Sequence, residues 1–316
     1  MEVKKKGNKK VWVALLLLAT LVPLGCIMSY AYWEIKKVVE KENYTSMKRT
    51  IEDRHVIVEQ FLFERMSMLQ SFSGGHALAD LDTDQKVSRQ LKIWRKIYGN
   101  FNSLAVVDIE GTAISTAGED VIDVKNKMGN REAEWFIKAV EKGKYVSPLY
   151  NGPDNKPTVA FVTYNISGGQ EWLVRSTQGM EPLYDIFKEL QHNDSGSYIV
   201  DPVTGEYLSK PIFGGNIFKD KNEYFNLGKK HYHKDYDYHG VEEVQIGEYI
   251  NPRGEEVFEA HCCTRRGSWL IIFEQGKDKV FENLYPLKGK FIMGFSIMAA
   301  LMISVAMYGV RNDKSA

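Results

Sequence analysis

The sequence predicts an α+β chain: a long N-terminal helix and two antiparallel-sheet modules, flanked by two transmembrane helices. Three observations predict it. Charge-free apolar runs lie near both ends, an amphipathic stretch without proline or glycine follows the first run, and the remainder alternates apolar and polar residues between turn signals. The 316 residues carry 41 basic and 41 acidic side chains, so net charge gives no footprint for nucleic acid. An apolar share of 44% and an aromatic share of 12% suffice for a core and exclude a disordered chain. The mean hydropathy of −0.33 suits a soluble protein, but the average hides how the apolar residues are segregated.

The first run is Val11 to Trp33, preceded by Lys4, Lys5, Lys6, Lys9 and Lys10. The second is Phe291 to Val310, twenty residues followed by Arg311 and Lys314. A helix of about twenty residues spans about 30 Å, the thickness of a bilayer's hydrocarbon core. A buried core helix fits the second run poorly, since globular helices seldom lack a polar face for five turns. A cleaved signal peptide fits the first poorly, because its apolarity runs past any small-residue exit site. Val22-Pro23-Leu24-Gly25-Cys26 is a weak match to a lipoprotein box, with proline where an aliphatic residue is wanted, and lipidation of Cys26 stays open. The five lysines place the N-terminus in the cytoplasm. A two-pass protein of the inner (cytoplasmic) membrane follows, with residues 34 to about 289 outside.

Only three cysteines occur, and Cys26 lies in the first span. Cys262 and Cys263 are neighbours that point to opposite faces of a strand, so no disulfide framework is expected.

Glu34 to about Ser73 reads as one helix with Met47, Ile51, Val58, Phe61, Leu62, Leu69 and Phe72 at helical spacing. The stripe suits packing against its own domain or a homodimer formed along the helix. A second helix runs from Thr83 to Tyr98 and stops at Gly99. Ser103 to Asp108, a turn at Gly111, and Thr112 to Ser115 then read as a hairpin. Ser197 to Asp201, Pro202 to Gly205, and Glu206 to Ser209 repeat the scheme. Val159 to Tyr164 with Glu171 to Val174, and Val257 to His261 with Ser268 to Ile271, form a second matching pair. Hairpins matching in the same order imply an internal duplication.

These pieces resemble a known family. Val107-Asp108-Ile109-Glu110-Gly111, Trp135-Phe136-Ile137-Lys138-Ala139, Gly143-Lys144-Tyr145-Val146-Ser147-Pro148 and Val200-Asp201 to Gly205, between two spans, resemble the extracytoplasmic double Cache sensors of bacterial signal transduction. The resemblance covers about residues 34–289. It implies two PAS-like modules, each an antiparallel sheet flanked by helices, with small ligands usually held in the membrane-distal one. The chain then divides into a cytoplasmic N-terminus (1–10), a span (11–33), a long helix segment (34–82), a distal module (83–190), a proximal module (191–288), a span (289–310) and a tail (311–316).

No nucleophile elbow, phosphate loop, zinc-protease helix or dinucleotide fingerprint occurs, so no enzyme is expected and no cofactor or metal is implied. The resemblance places a ligand wall at 130–150. Arg131 suits a carboxylate grip, and Trp135, Phe136, Tyr145 and Tyr150 suit the walls of a small pocket. In the amino-acid-sensing subset of the family, an arginine precedes a Trp-Tyr pair, followed by a tyrosine and two aspartates that take the ligand's ammonium. Trp135, Phe136 and Tyr150 fall on that pattern. Arg131 stands two residues further from Trp135 than the pattern has it, Phe136 replaces a tyrosine, and Gly152 and Thr177 occupy the acid positions. Without those acids an α-ammonium lacks its charge partner, so a small carboxylate or neutral polar molecule fits better. The other reading makes Trp135 and Phe136 core residues and Arg131 a surface charge.

His231, His233, Asp235, Asp237 and His239 would share one face if extended, although a solvated loop is the ordinary reading of such a segment. After Val310 only six residues remain, too few for a kinase, cyclase or methyl-accepting coiled coil. Signalling through a separate membrane partner is therefore expected, such as a histidine kinase or a chemoreceptor-type protein. The rival expectation is a degenerate scaffold that serves as an interaction protein of the cell envelope.

Overall fold

The computed structural model describes residues 9–119, 127–191, 194–202, 204–221, 244–264 and 269–312. It divides into two compact units, residues 1–46 with 277–316 and residues 47–276.

Helix α1 (Lys9–Gly74) runs unbroken through the first apolar run and the amphipathic stretch, with Pro23 inside it. It ends at the Gly74-Gly75 pair, where two residues without side chains make continued helix costly. In the first unit α1 is joined by α6 (Lys277–Phe281) and α7 (Leu284–Asn312). Both α1 and α7 hold a stretch long and apolar enough to cross a membrane, with none of it buried by protein. The stretches touch: Thr20 Oγ1 lies 3.7 Å from Met302 Sδ, and a Cβ on Gly25 would stand 3.6 Å from the Phe295 ring. Small residues at such crossings let helices approach closely where lipid offers no hydrophobic driving force. Tyr30 and Trp33, ring centroids 6.2 Å apart, close the first span, and Lys37 sits over the Trp33 ring, as suits a membrane–water boundary.

In the second unit the stripe on α1 is buried, with Ile51, Val58, Leu62 and Leu69 wholly inside. It packs on its own domain: Cys262 Sγ contacts the Ile51 carbonyl, and Thr163 Oγ1 lies 3.2 Å from Ser73 Oγ. Helix α2 (Asp84–Tyr98) starts after Thr83 and stops at Gly99, whose φ of 66° favours glycine. It lays Trp94 against Phe72 of α1 and Phe101.

Ten strands follow among the described residues. Sheet A contains β1 (Phe101–Asp108), β2 (Ala113–Gly118), β3 (Lys144–Val146), β4 (Tyr150–Asn151), β5 (Pro157–Ser167) and β6 (Gln170–Gly179). Its order is β2-β1-β6-β5-β3, with β4 also on β5, and α5 (Glu181–Glu189) follows β6. Sheet B contains β7 (Ser195–Val200), β8 (Gln245–Ile250), β9 (Glu256–Cys263) and β10 (Leu270–Gly276), in the order β7-β10-β9-β8. Matching β1 with β7, β6 with β10, β5 with β9 and β3 with β8 superposes the two orders. Among the described residues every strand pair of both sheets is antiparallel.

The repeated "Val-Asp…Gly" turns are built alike. Asp108 Oδ1 accepts the Thr112 amide at 2.6 Å and Asp201 Oδ1 accepts the Thr204 amide at 2.7 Å. The Gly111 and Gly205 amides return to the carbonyls of the same two aspartates. Their φ values of 83° and 76° suit glycine. Asp108→Ala and Asp201→Ala should therefore each cost about 1 kcal/mol, read as a lower denaturant midpoint with an unchanged slope.

One strand that the sequence predicts does not form. Glu206 to Ser209 forms isolated bridges, Val200 with Tyr207 and Glu206 with Lys221, and not a strand. Its backbone bonds are divided: Leu208 N reaches Ile199 O, whereas Tyr207 N reaches Asp220 O. Cys262 packs on the α1 side of β9 and Cys263 joins the opposite cluster with Tyr198 and Tyr207, as adjacent strand residues must.

Candidate functional site

Sheet A has two unlike faces. One packs on α1 and α2 through Phe101 and Thr163. The other lies beneath α4 (Glu134–Lys142), which follows α3 (Lys127–Glu132). The buried Asn130 side chain donates to Gly111 O at 2.9 Å and so ties α3 to the β1–β2 turn. The Phe136 and Ile137 amides bond the Ala133 carbonyl and start α4. These contacts set Trp135 and Phe136 over the sheet, with Ala105, Val107, Val162 and Leu173 in the same core cluster.

The register orders this face into cross-strand rows. Tyr145, Val162, Arg175 and Ala105 form one row, and Ala160, Thr177 and Ser103 form the next. Tyr150 stands opposite Thr158 beyond them. Thr177 and Ser103 hydroxyls are 2.7 Å apart. Burial, then the charge of Glu134 and a hydrogen bond to it, push the Tyr145 hydroxyl above its ordinary pKa, so it stays neutral.

The residue at the centre is Arg175, only 5% exposed. Its guanidinium carbon lies 5.6 Å from the centre of the Trp135 ring, and Nη2 donates to Tyr150 Oη at 3.5 Å. A cation on an aromatic face beside a phenol is suited to anions, because guanidinium offers carboxylates a planar pair of donors.

The structure thus brings Trp135, Phe136, Tyr145, Tyr150 and Thr177 to one face. Arg131 stands exposed at the end of α3. Arg175 escapes a reading based on local motifs, but one signal marks it: a charge in the middle of Trp172-Leu173-Val174-Arg175-Ser176-Thr177, a run that otherwise reads as a central strand. Gly152 precedes the 3₁₀ turn Pro153–Asn155, where a Cβ would collide with the Thr158 side chain. The histidine-rich segment 231–239 lies outside the described residues. Among the described residues no group of histidine, cysteine or acidic side chains is placed to hold a metal.

No protein-family model and no curated protein matches the chain. Solved structures do. The ligand-binding domain of the Pseudomonas aeruginosa amino-acid chemoreceptor PctC, in complex with GABA, aligns over 74% of this chain and 99% of its own, with a TM-score of 0.52 and 15% identity. The sensory domain of the Campylobacter jejuni chemoreceptor Tlp3 aligns over 78% and 98%, with a TM-score of 0.54 and 12% identity. The extracellular domain assigned to the histidine kinase soHK1S-Z6 covers 78% and 99%, again at 0.54 and 12%. The fold is that of a Cache-type sensor domain.

Proposed function

We propose that the chain is a membrane-anchored extracytoplasmic sensor whose first module binds a small carboxylate. The observation that carries this reading is the buried Arg175 guanidinium against Trp135 and Tyr150. It supplies a charge-assisted, two-pronged donor, and Thr177 and Ser103 add hydroxyls one row away. The amino-acid ligand in the PctC complex does not transfer directly, because the pattern of acids that would hold an ammonium is replaced here by Gly152 and Thr177.

Binding acts in this account by biasing two arrangements of the outer unit, passed along α1 and α7 to a membrane signalling partner of the histidine-kinase or chemoreceptor type. The kind of partner is supported by the receptors that share the fold. The role is binding and relay, not catalysis.

A thermal-shift screen of the full chain with mono- and dicarboxylates, neutral amino acids, polyamines and divalent metals tests it. A carboxylate at a hundred times its Kd contributes about 2.7 kcal/mol. For a unit of this size that raises Tm by about 5–10 °C. Stabilisation by polyamines or metals alone would overturn the assignment of ligand class.

A further inference from the structure

Sheet B buries two carboxyl groups side by side. Glu259 on β9 and Glu274 on β10 are direct cross-strand partners, exposed by 0% and 1%. Such partners share a face with Cβ atoms about 5 Å apart, and like charges there repel. Two carboxylates held that close and away from water do not both ionise near neutral pH. The rest of the cluster encloses them. Tyr198 from the edge strand β7 donates its hydroxyl to Glu274, and Tyr249 from the opposite edge, β8, brings its own hydroxyl within 3.4 Å of that of Tyr198. Tyr207 lies 5.5 Å from Tyr198, ring to ring. On β9, His261 Nδ1 stands 2.6 Å from Glu259 Oε1. The titratable groups that the described residues bring to Glu274 are therefore Tyr198, Tyr207, Tyr249, Glu259 and His261.

We propose that this carboxyl pair makes the second module responsive to protons: Glu274 holds a proton that keeps β9 and β10 closed, and its loss sets two charges against each other between them. Burial pushes Glu274 up to about 8, with the Tyr198 hydrogen bond working in the opposite direction. In the open strand the same group ionises near its ordinary 4.5. The closed state is thus most favoured below about 4.5. It loses stability as pH rises towards about 8, and the loss levels off above that. The strand that carries Glu274 ends at Gly276, and the next residue, Lys277, opens α6 on the way to the membrane helix α7. A change in β10 therefore reaches that helix through the chain itself.

Hydrogen exchange of the full chain in lipid nanodiscs tests the proposal. Protection of peptides from 256–276 is measured against those from 157–179, corrected for intrinsic rates, between pH 5 and 9. The expected ratio falls up to about tenfold per pH unit to near pH 8 and then flattens, because opening releases one proton. Glu274→Gln keeps the shape without the charge and should abolish the slope. A flat wild-type ratio, or a slope kept by E274Q, overturns the proposal.

Two further readouts guard against an E274Q variant that does not fold. Tyr198→Phe removes the bond that holds Glu274 down and should move the flattening to higher pH; an unmoved profile overturns the assignment. Infrared spectra of the wild type should show a protonated carboxylic-acid band at pH 7 that fades by pH 9. Absence of the band at pH 7 overturns it as well.

Discussion

Trp172→Ala or Trp269→Ala is expected to cost about 3–5 kcal/mol of folding stability. Both indoles are fully enclosed, at 0% and 1% exposure, and they occupy equivalent places in the two modules, one opening the buried part of β6 and the other preceding β10. The surrounding strands are held by ladders on both sides and cannot collapse into the space, so the cavity term adds to the lost transfer term. A loss of that size lowers Tm by about 6–20 °C for a unit this large. Phenylalanine at either site should cost much less, because it refills most of the volume and removes an indole N–H that has no partner among the described residues. Residues 47–276 form one compact unit, so each alanine variant should lower a single shared transition. Differential scanning calorimetry reads this directly. A second transition left at the wild-type temperature would show that the modules unfold independently.

Arg175→Ala is expected to weaken carboxylate binding by about 2–4 kcal/mol, roughly 30- to 700-fold. The cost is large because the guanidinium is already withdrawn from water beneath Trp135 and loses little further hydration when a carboxylate binds, and because without it the carboxylate would be buried unpaired. Arg175→Lys should recover only part of the loss, since an ammonium cannot offer two parallel donors. Arg131→Ala should leave affinity within about twofold, because an exposed charge at the end of α3 is screened by solvent. Calorimetric titration of the three variants separates the two arginines. Loss of binding in Arg131→Ala with retention in Arg175→Ala would return the role to the residue that the family pattern favours.

What could be read from the sequence was whatever repeats at a short period. The α1 stripe at Ile51, Val58, Leu62 and Leu69 follows the helical repeat, and every one of those residues is buried. The Asp108 and Asp201 turns were legible because an aspartate followed three or four residues on by a glycine answers a local backbone demand. The aromatic wall of Trp135, Phe136, Tyr145 and Tyr150 came from family resemblance and local order. Its assembly with Arg175 depends on register, which places residues 30 positions apart in one row and leaves no local trace. The same holds for the Glu259–Glu274 pair, which looks like two ordinary strand charges until β9 and β10 are aligned. The short strands β3 and β4 and the strand β8 lacked the apolar alternation that would have marked them, since their exposure pattern is that of sheet edges.

A crystal structure of the full chain, purified without dialysis and soaked with the carboxylate that raises Tm most, tests the central claim most directly. The account predicts ligand density under Trp135, with carboxylate oxygens within hydrogen-bond distance of the Arg175 guanidinium and Tyr150 close by. Density placed instead at Arg131, or in the second module beside Tyr198 and Glu274 with the first module unchanged, would contradict it.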